Sequence, residues 1–212
     1  MTGRRVAITG IGVLAPGGIG AKNFWSLLSD GRTSTRRITF FDPSPFRSRV
    51  AAEIDFDPEE HGLSPQEIRR MDRAAQLAVV ATREAVADSG IDLTRLDPYR
   101  TGVTIGSAVG ATTGLDQEYR VVSDGGRLGL VDHEYAVPHL YNYFVPSSFA
   151  AEVAWAVGAE GPSTVVSTGF IGPPSFGSPL GTMATRTFAP AIGRPLRSIT
   201  CPRALQIFGT NV

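Results

Sequence analysis

The chain has 212 residues, 42% hydrophobic and 19% charged, with no net formal charge, which describes an ordinary globular protein large enough for one α/β domain. No run approaches about 18 consecutive apolar residues, so nothing reads as a membrane helix. Cys201 is the only cysteine, which rules out a disulfide framework and a Cys-rich metal site. The first residues lack the apolar segment of a signal peptide, and a cytoplasmic location is expected.

Taken in chain order, residues 5–9 alternate as a strand and end at Gly10-Ile11-Gly12. Residues 23–29 carry Phe24, Leu27 and Leu28 at helical spacing, with Gly31 as a C-cap. Asp42-Pro43-Ser44-Pro45 marks a turn-rich loop, and 50–56 reads as a second strand. The strongest signal is one helix over 65–89. Ser64 stands at its N-cap, Pro65 at N1 and Glu67 at N3, and Gly90 ends it. Its stripe runs through Ile68, Met71, Ala75, Ala78, Val79, Ala85 and Val86.

Residues 101–107 read as a strand entering the glycine-rich Gly106-Ser107-Ala108-Val109-Gly110, with a helix to follow through Leu115, Tyr119 and Val122. Val145-Pro146-Ser147-Ser148 opens another helix, with Phe149, Val153, Ala156 and Val157 facing inward before Gly158. Residues 164–167 then form a buried strand. Strands alternating with helices point to an α/β layered architecture.

The pattern breaks after Gly169. Pro173, Pro174, Pro179, Pro190, Pro195 and Pro202 recur every few residues, and proline blocks both helix interiors and central strands. Residues 170–212 also hold four arginines and no acidic residue, which leaves the rest of the chain net acidic. The chain therefore divides into a domain at 1–169 and an irregular or disordered tail at 170–212. The tail's cations are too sparse for a nucleic-acid or membrane arm.

Two motifs invite functional readings and fail on spacing. Gly10-x-Gly12-x-x-Ala15 resembles a dinucleotide fingerprint, but Pro16-Gly17-Gly18 and Gly20 fall where the phosphate-facing helix must run. Asp30, near the place of the ribose acid, sits beside a helix C-terminus. Ser107 suggests a nucleophile elbow, yet Ile105 and Val109 occupy the two positions that need glycine. His61, His133 and His139 show no metal-ligand spacing and read as solvated histidines. No metal and no cofactor is expected.

Several segments together resemble the β-ketoacyl-acyl carrier protein synthase family of the thiolase fold. They are Arg5-Val6-Ala7-Ile8-Thr9-Gly10-Ile11-Gly12, Phe24-Trp25 with Leu27-Leu28-Ser29-Asp30-Gly31, Phe41-Asp42-Pro43 and Met71-Asp72-Arg73. Glu84-Ala85 with Asp88-Ser89-Gly90, Gly102-Val103 leading to Ile105-Gly106-Ser107, and Gly161-Pro162 leading to Val165-Val166-Ser167-Thr168-Gly169 complete the set. Within the family, Ala15-Pro16-Gly17-Gly18, Phe40-Phe41-Asp42-Pro43-Ser44-Pro45 and residues 153–162 look most like ketosynthase α subunits of aromatic type II polyketide synthases. A fatty-acid-type synthase is the nearest competitor. The resemblance covers 1–169, the N-terminal half of such a fold.

It implies decarboxylative Claisen condensation of acyl and malonyl thioesters carried by an acyl carrier protein. A cysteine at a helix N-terminus takes the acyl chain there, and two histidines from the second half assist decarboxylation. The nucleophile follows the strand that here ends Val166-Ser167-Thr168-Gly169, and that position is Phe170. A phenyl ring has no nucleophilic atom. Ile171-Gly172-Pro173-Pro174 also replaces the helix turn that should supply oxyanion donors, and Cys201 has no helix start behind it.

The expectation is therefore a truncated ketosynthase-like chain that does not condense by itself, its tail the product of a shifted reading frame or a rearrangement. The alternative is a noncatalytic partner of a ketosynthase or chain-length factor. For that, the resemblance implies Thr164, Val165, Val166 and Ser167 as a dimer-interface strand.

Overall fold

The computed structural model describes residues 6–107, 110–127, 134, 147–167 and 203–207. Residues 6–9, patterned as a strand, join no ladder: Val6 is 88% and Ile8 83% exposed. The first pairing is instead a short antiparallel hairpin, β1 (Leu14–Ala15) with β2 (Gly18–Ile19). It turns at Pro16-Gly17, where Gly17 takes a φ of 79° that a side chain would resist. Helix α1 (Ala21–Ser29) follows and takes in the helical pattern of residues 23–29. Gly20 offers no capping side chain, and the Glu84 carboxylate takes over by accepting from the Ala21 N–H at 2.7 Å.

Strands β3 (Thr35–Arg37) and β4 (Val50–Ala52) form a second antiparallel pair, Thr35 opposite Ala52 and Arg37 opposite Val50. The strand expected over 50–56 thus ends at Ala52, because its partner is only three residues long. Past the ladder the chain is held by a buried carboxylate. Glu53, 4% exposed, accepts from the Thr39 N–H at 2.9 Å, the Thr39 hydroxyl at 2.8 Å and the Phe40 N–H at 3.2 Å.

Burial alone would raise the pKa of Glu53, but its hydrogen bonds to Thr39, Phe40 and Arg36 outweigh that and hold it below the usual carboxylate range. A lowered folded-state pKa gives stability that is complete above the unfolded value and is lost as pH falls through the folded one. Glu53→Gln is therefore expected to flatten the acid limb of the stability profile, measured by urea unfolding from neutral pH down to about pH 3. An unchanged acid limb would remove Glu53 from the account.

The single helix expected over 65–89 is two. α2 (Pro65–Arg70) begins as the sequence indicates, with the Ser64 hydroxyl accepting from the Glu67 N–H and the Glu67 carboxylate accepting from the Ser64 N–H at 2.8 Å. Met71 then turns extended, and Asp72 caps a new helix, α3 (Arg73–Ser89), by accepting from the Ala74 N–H at 2.9 Å. Gly90 ends α3 with a φ of 63°, as read. Short 3₁₀ turns at Leu93–Arg95 and Pro98–Arg100 lead to β5 (Thr101–Ser107).

β5 points Val103, Ile105 and Ser107 to the core and Thr104 and Gly106 away from it. α4 (Thr112–Val122) buries Glu118 and Val122 but leaves Tyr119 54% exposed. α5 (Ser147–Val157) begins where expected and buries Phe149 and Val153, 2% and 0% exposed, with Val157 beside them. β6 (Ser163–Ser167) lies parallel to β5, Val103 opposite Ser163 and Ser107 opposite Ser167.

The other edge of β5 carries β7 (Arg203–Ile207), also parallel, Thr101 opposite Arg203 and Ile105 opposite Ile207. This corrects the reading of 170–212 as irregular for these five residues. The stretch after Pro202 contains no proline, so its backbone is able to join a ladder. Among the described residues, α3 and α5 pack on the sheet. Val79 and Val80 of α3 and Phe149, Val153 and Val157 of α5 share a cluster with Val103 and Ile105. Among the described residues no helix is long and apolar enough to cross a membrane.

Candidate functional site

β5 and β6 run parallel and in register, so their C-terminal ends emerge side by side. That end of an open α/β sheet is where loops bearing ligand and catalytic groups collect. The nucleophile position inferred from sequence follows β6 here, three residues after Ser167. Phe170 itself lies outside the described residues, as do Cys201, His133 and His139.

The surrounding scaffold is visible. Ser107, at the end of β5, is 7% exposed and accepts from the Gly110 N–H at 2.9 Å. Its oxygen shapes the turn into α4, in keeping with a structural part and not a nucleophile elbow. Asp72 ties the same corner to the helical layer: one carboxylate oxygen caps α3, and the other accepts from the Gly114 N–H of α4 at 3.1 Å. A cleft of about 380 Å³ opens beside it, lined by Met71, Asp72, Gln76, Thr113, Gly114 and Gln117 among others.

Asp72, Arg73 and Gln76, three of the polar groups of that cleft, are committed to holding backbone. The Gln76 amide donates to Ile68 and Met71 carbonyls at 3.1 and 3.0 Å. Arg73 donates to the Ile54 carbonyl at 2.9 Å and lies over the Phe40 and Phe56 rings at 5.2 and 5.5 Å. Such an arrangement fixes the β3–β4 hairpin, α2, α3 and α4 in one frame. It offers no pairing of a nucleophile with a base among these residues.

Perturbed titrations have equally local causes. The Ser64 N–H, ahead of its hydroxyl and the Arg83 guanidinium, holds the Glu67 carboxyl below its ordinary value. The hydrogen bond to Glu160 pushes the Tyr99 hydroxyl up. His61 stacks on Phe56 with ring centroids 5.4 Å apart, a packing role.

The glycine loop is likewise structural. A Cβ on Gly10 would meet the Ala85 carbonyl oxygen at 2.1 Å, and one on Gly12 the Ala81 oxygen at 1.9 Å. Both glycines let the N-terminal segment lie on the backbone of α3. The segment is pinned there by the Ile11 N–H donating to Asp88 and the Val13 N–H donating to Glu84. Asp30 stands at the end of α1 and pairs with Arg32 at 3.1 Å on the surface.

Glu53, Asp72 and Glu84 are the residues whose work the sequence reading did not assign. For the last two, residue type alone gave a hint. Asp72 is a capping-type residue in front of Arg73-Ala74-Ala75, and Glu84 is an acid on an alanine-rich helix facing glycines.

Residues 3–169 fit the pattern of the beta-ketoacyl synthase N-terminal domain. The chain belongs to the β-ketoacyl synthase family. It is 78% identical over 169 residues to a Streptomyces virginiae protein named for polyketide beta-ketoacyl synthase 1, covering 80% of this chain and 40% of that one. It is 61% identical over 166 residues to the tetracenomycin polyketide synthase ketoacyl synthase alpha subunit of Streptomyces glaucescens, covering 78% and 39%.

Among solved structures, a type II polyketide synthase acyl-carrier protein in complex with its ketosynthase matches with a TM-score of 0.65 at 27% identity, over 78% of this chain and 38% of that one. The ishigamide ketosynthase/chain length factor matches with a TM-score of 0.63 at 27% identity, over 76% and 39%. The chain thus spans about two fifths of the length of the relatives it matches. Its α/β layers are the N-terminal part of a thiolase-like ketosynthase fold.

Proposed function

We propose that this polypeptide carries the N-terminal scaffold of a polyketide-type β-ketoacyl synthase but performs no condensation as it stands. The observation that carries the reading is Phe170, three residues beyond the end of β6. Acyl transfer from a carrier thioester needs a thiolate to attack the carbonyl and expel the carrier thiol, and Phe170 has no lone pair to offer. The relatives named for polyketide synthases support that pathway class over the fatty-acid alternative. A relative solved with its acyl-carrier protein supports a carrier protein as partner.

The family match ceases at 169 and no acidic residue follows Glu160, which a shift of reading frame or a rearrangement after Gly169 accounts for. A second reading rests on the outer edge of β6, unpaired among the described residues, where Val166 is 52% exposed. Thr164, Val165, Val166 and Ser167 then form the contact of a noncatalytic partner for a ketosynthase or chain-length factor.

One assay separates these. Given acyl and malonyl groups on carrier protein, the chain by itself is expected to yield no β-ketoacyl product, and detectable product would overturn the proposal. Added to an intact ketosynthase, the chain leaves the product yield unchanged under the first reading and alters it under the second.

A further inference from the structure

Residues 6–9 have the alternation of a strand yet stand out of the sheet, with Val6 and Ile8 almost fully in water. The chain immediately after them is fixed. Gly10 and Gly12 rest against α3, and Glu84 and Asp88 hold the Val13 and Ile11 N–H groups. α3 shares its apolar cluster with β5, so this fixed point lies about one layer from the sheet. Four extended residues span about 13 Å, more than the 8–10 Å between packed helices. The segment is therefore long enough to reach β5.

β5 has two edges. One takes β6, and the other takes β7 from the tail. The family pattern covers 3–169, so it includes the unpaired segment and excludes the strand that fills the edge. An apolar, strand-patterned segment left in solvent beside an edge filled from outside the family domain is a local conflict of the kind folded sequences avoid.

We propose that residues 6–9 and 203–207 are alternative occupants of the same edge of β5, and that the tail strand blocks the N-terminal segment from pairing there. Pairing is a backbone property, so the two segments need not share side chains to compete. Because both belong to one chain, each is always present at high effective concentration near the edge. Removing the ladder capacity of one hands the edge to the other.

The test is hydrogen exchange read by mass spectrometry on the full 212-residue chain and on the variant Leu205→Pro with Gln206→Pro. Of two adjacent residues in a parallel strand, one directs its N–H to a given neighbour, so two prolines remove it in either phase. In the unaltered chain the amides of residues 6–9 are expected to exchange freely while β5 is protected. In the variant, exchange over residues 6–9 is expected to slow by at least about tenfold, with β5 still protected. Adding Ile8→Pro should then abolish that gain.

Three results would overturn the proposal: residues 6–9 already protected in the unaltered chain; residues 6–9 equally fast in both; or a variant that loses protection throughout the sheet, because then no second occupant replaced the tail.

Discussion

A chimaera in which residues 170–212 give way to the corresponding part of the Streptomyces virginiae relative is expected to condense acyl and malonyl thioesters, whereas Phe170→Cys alone is expected to leave the chain inactive. One half of the reason is continuity. This chain and that relative are 78% identical over 169 residues, so β5, β6, the helical layer and the Asp72 tie should accept the relative's continuation, while β7 leaves with the tail. The second half is that a sulfur atom is only part of a site. Pro173-Pro174 removes two N–H donors from the turn that should lower the thiol pKa and receive the oxyanion. The decarboxylating histidines belong, by resemblance, to the part of the family that follows. Loss of a nucleophile that acts as one unit with its partners costs at least about 10⁴-fold in turnover. The chimaera and the single variant should differ by at least that factor in product formed per minute. Activity restored by Phe170→Cys alone would mean that the helix turn and the second half are dispensable.

Phe149→Ala is expected to be the most damaging single change in the described core. Phe149 is 2% exposed and joins Val79, Val103 and Val153 in the cluster between α3, α5 and the sheet. Truncating a buried phenylalanine costs about 3–5 kcal/mol from lost transfer energy and the cavity left behind. A domain's whole stability is about 5–15 kcal/mol, and this chain also leaves Trp25, Trp155 and Val166 at 70%, 79% and 52% exposure. Denaturant unfolding should therefore show the variant largely unfolded in buffer or with its midpoint sharply lowered. A midpoint within a few tenths molar of the parent would contradict the core as drawn.

How far the sequence reached depended on whether the signal was local. The Ser64 capping box, the Gly90 stop, the 101–107 strand and the inward face of α5 follow from neighbours within a few positions, and each was readable. The break at Met71-Asp72 was not, because Ile68, Met71 and Ala75 keep the helical stripe running across it. At the break Met71 turns extended and Asp72 caps α3, while its other carboxylate oxygen accepts from the Gly114 N–H 42 residues away. Residues 6–9 failed for a similar reason, since alternation shows that a segment suits a ladder but not whether an edge is free.

At the candidate site, the strand expected over 164–167 is β6 and Ser107 serves the turn into α4, while the nucleophile position inferred from sequence lies outside the described residues. Glu53, Asp72 and Glu84 went unassigned because each acts on backbone N–H groups far along the chain, and such contacts leave no periodic trace. The same limit applies to β7, whose five residues pair only because a distant strand supplies the edge.

Exposing the purified chain to an acyl-carrier thioester labelled in the acyl group, then weighing the intact protein by mass spectrometry, bears most directly on the proposed loss of the nucleophile. The mass should remain that of the unmodified polypeptide. A near-stoichiometric acyl adduct that is discharged when malonyl thioester is added would contradict it, because some side chain of this chain would then be holding and passing on the acyl group.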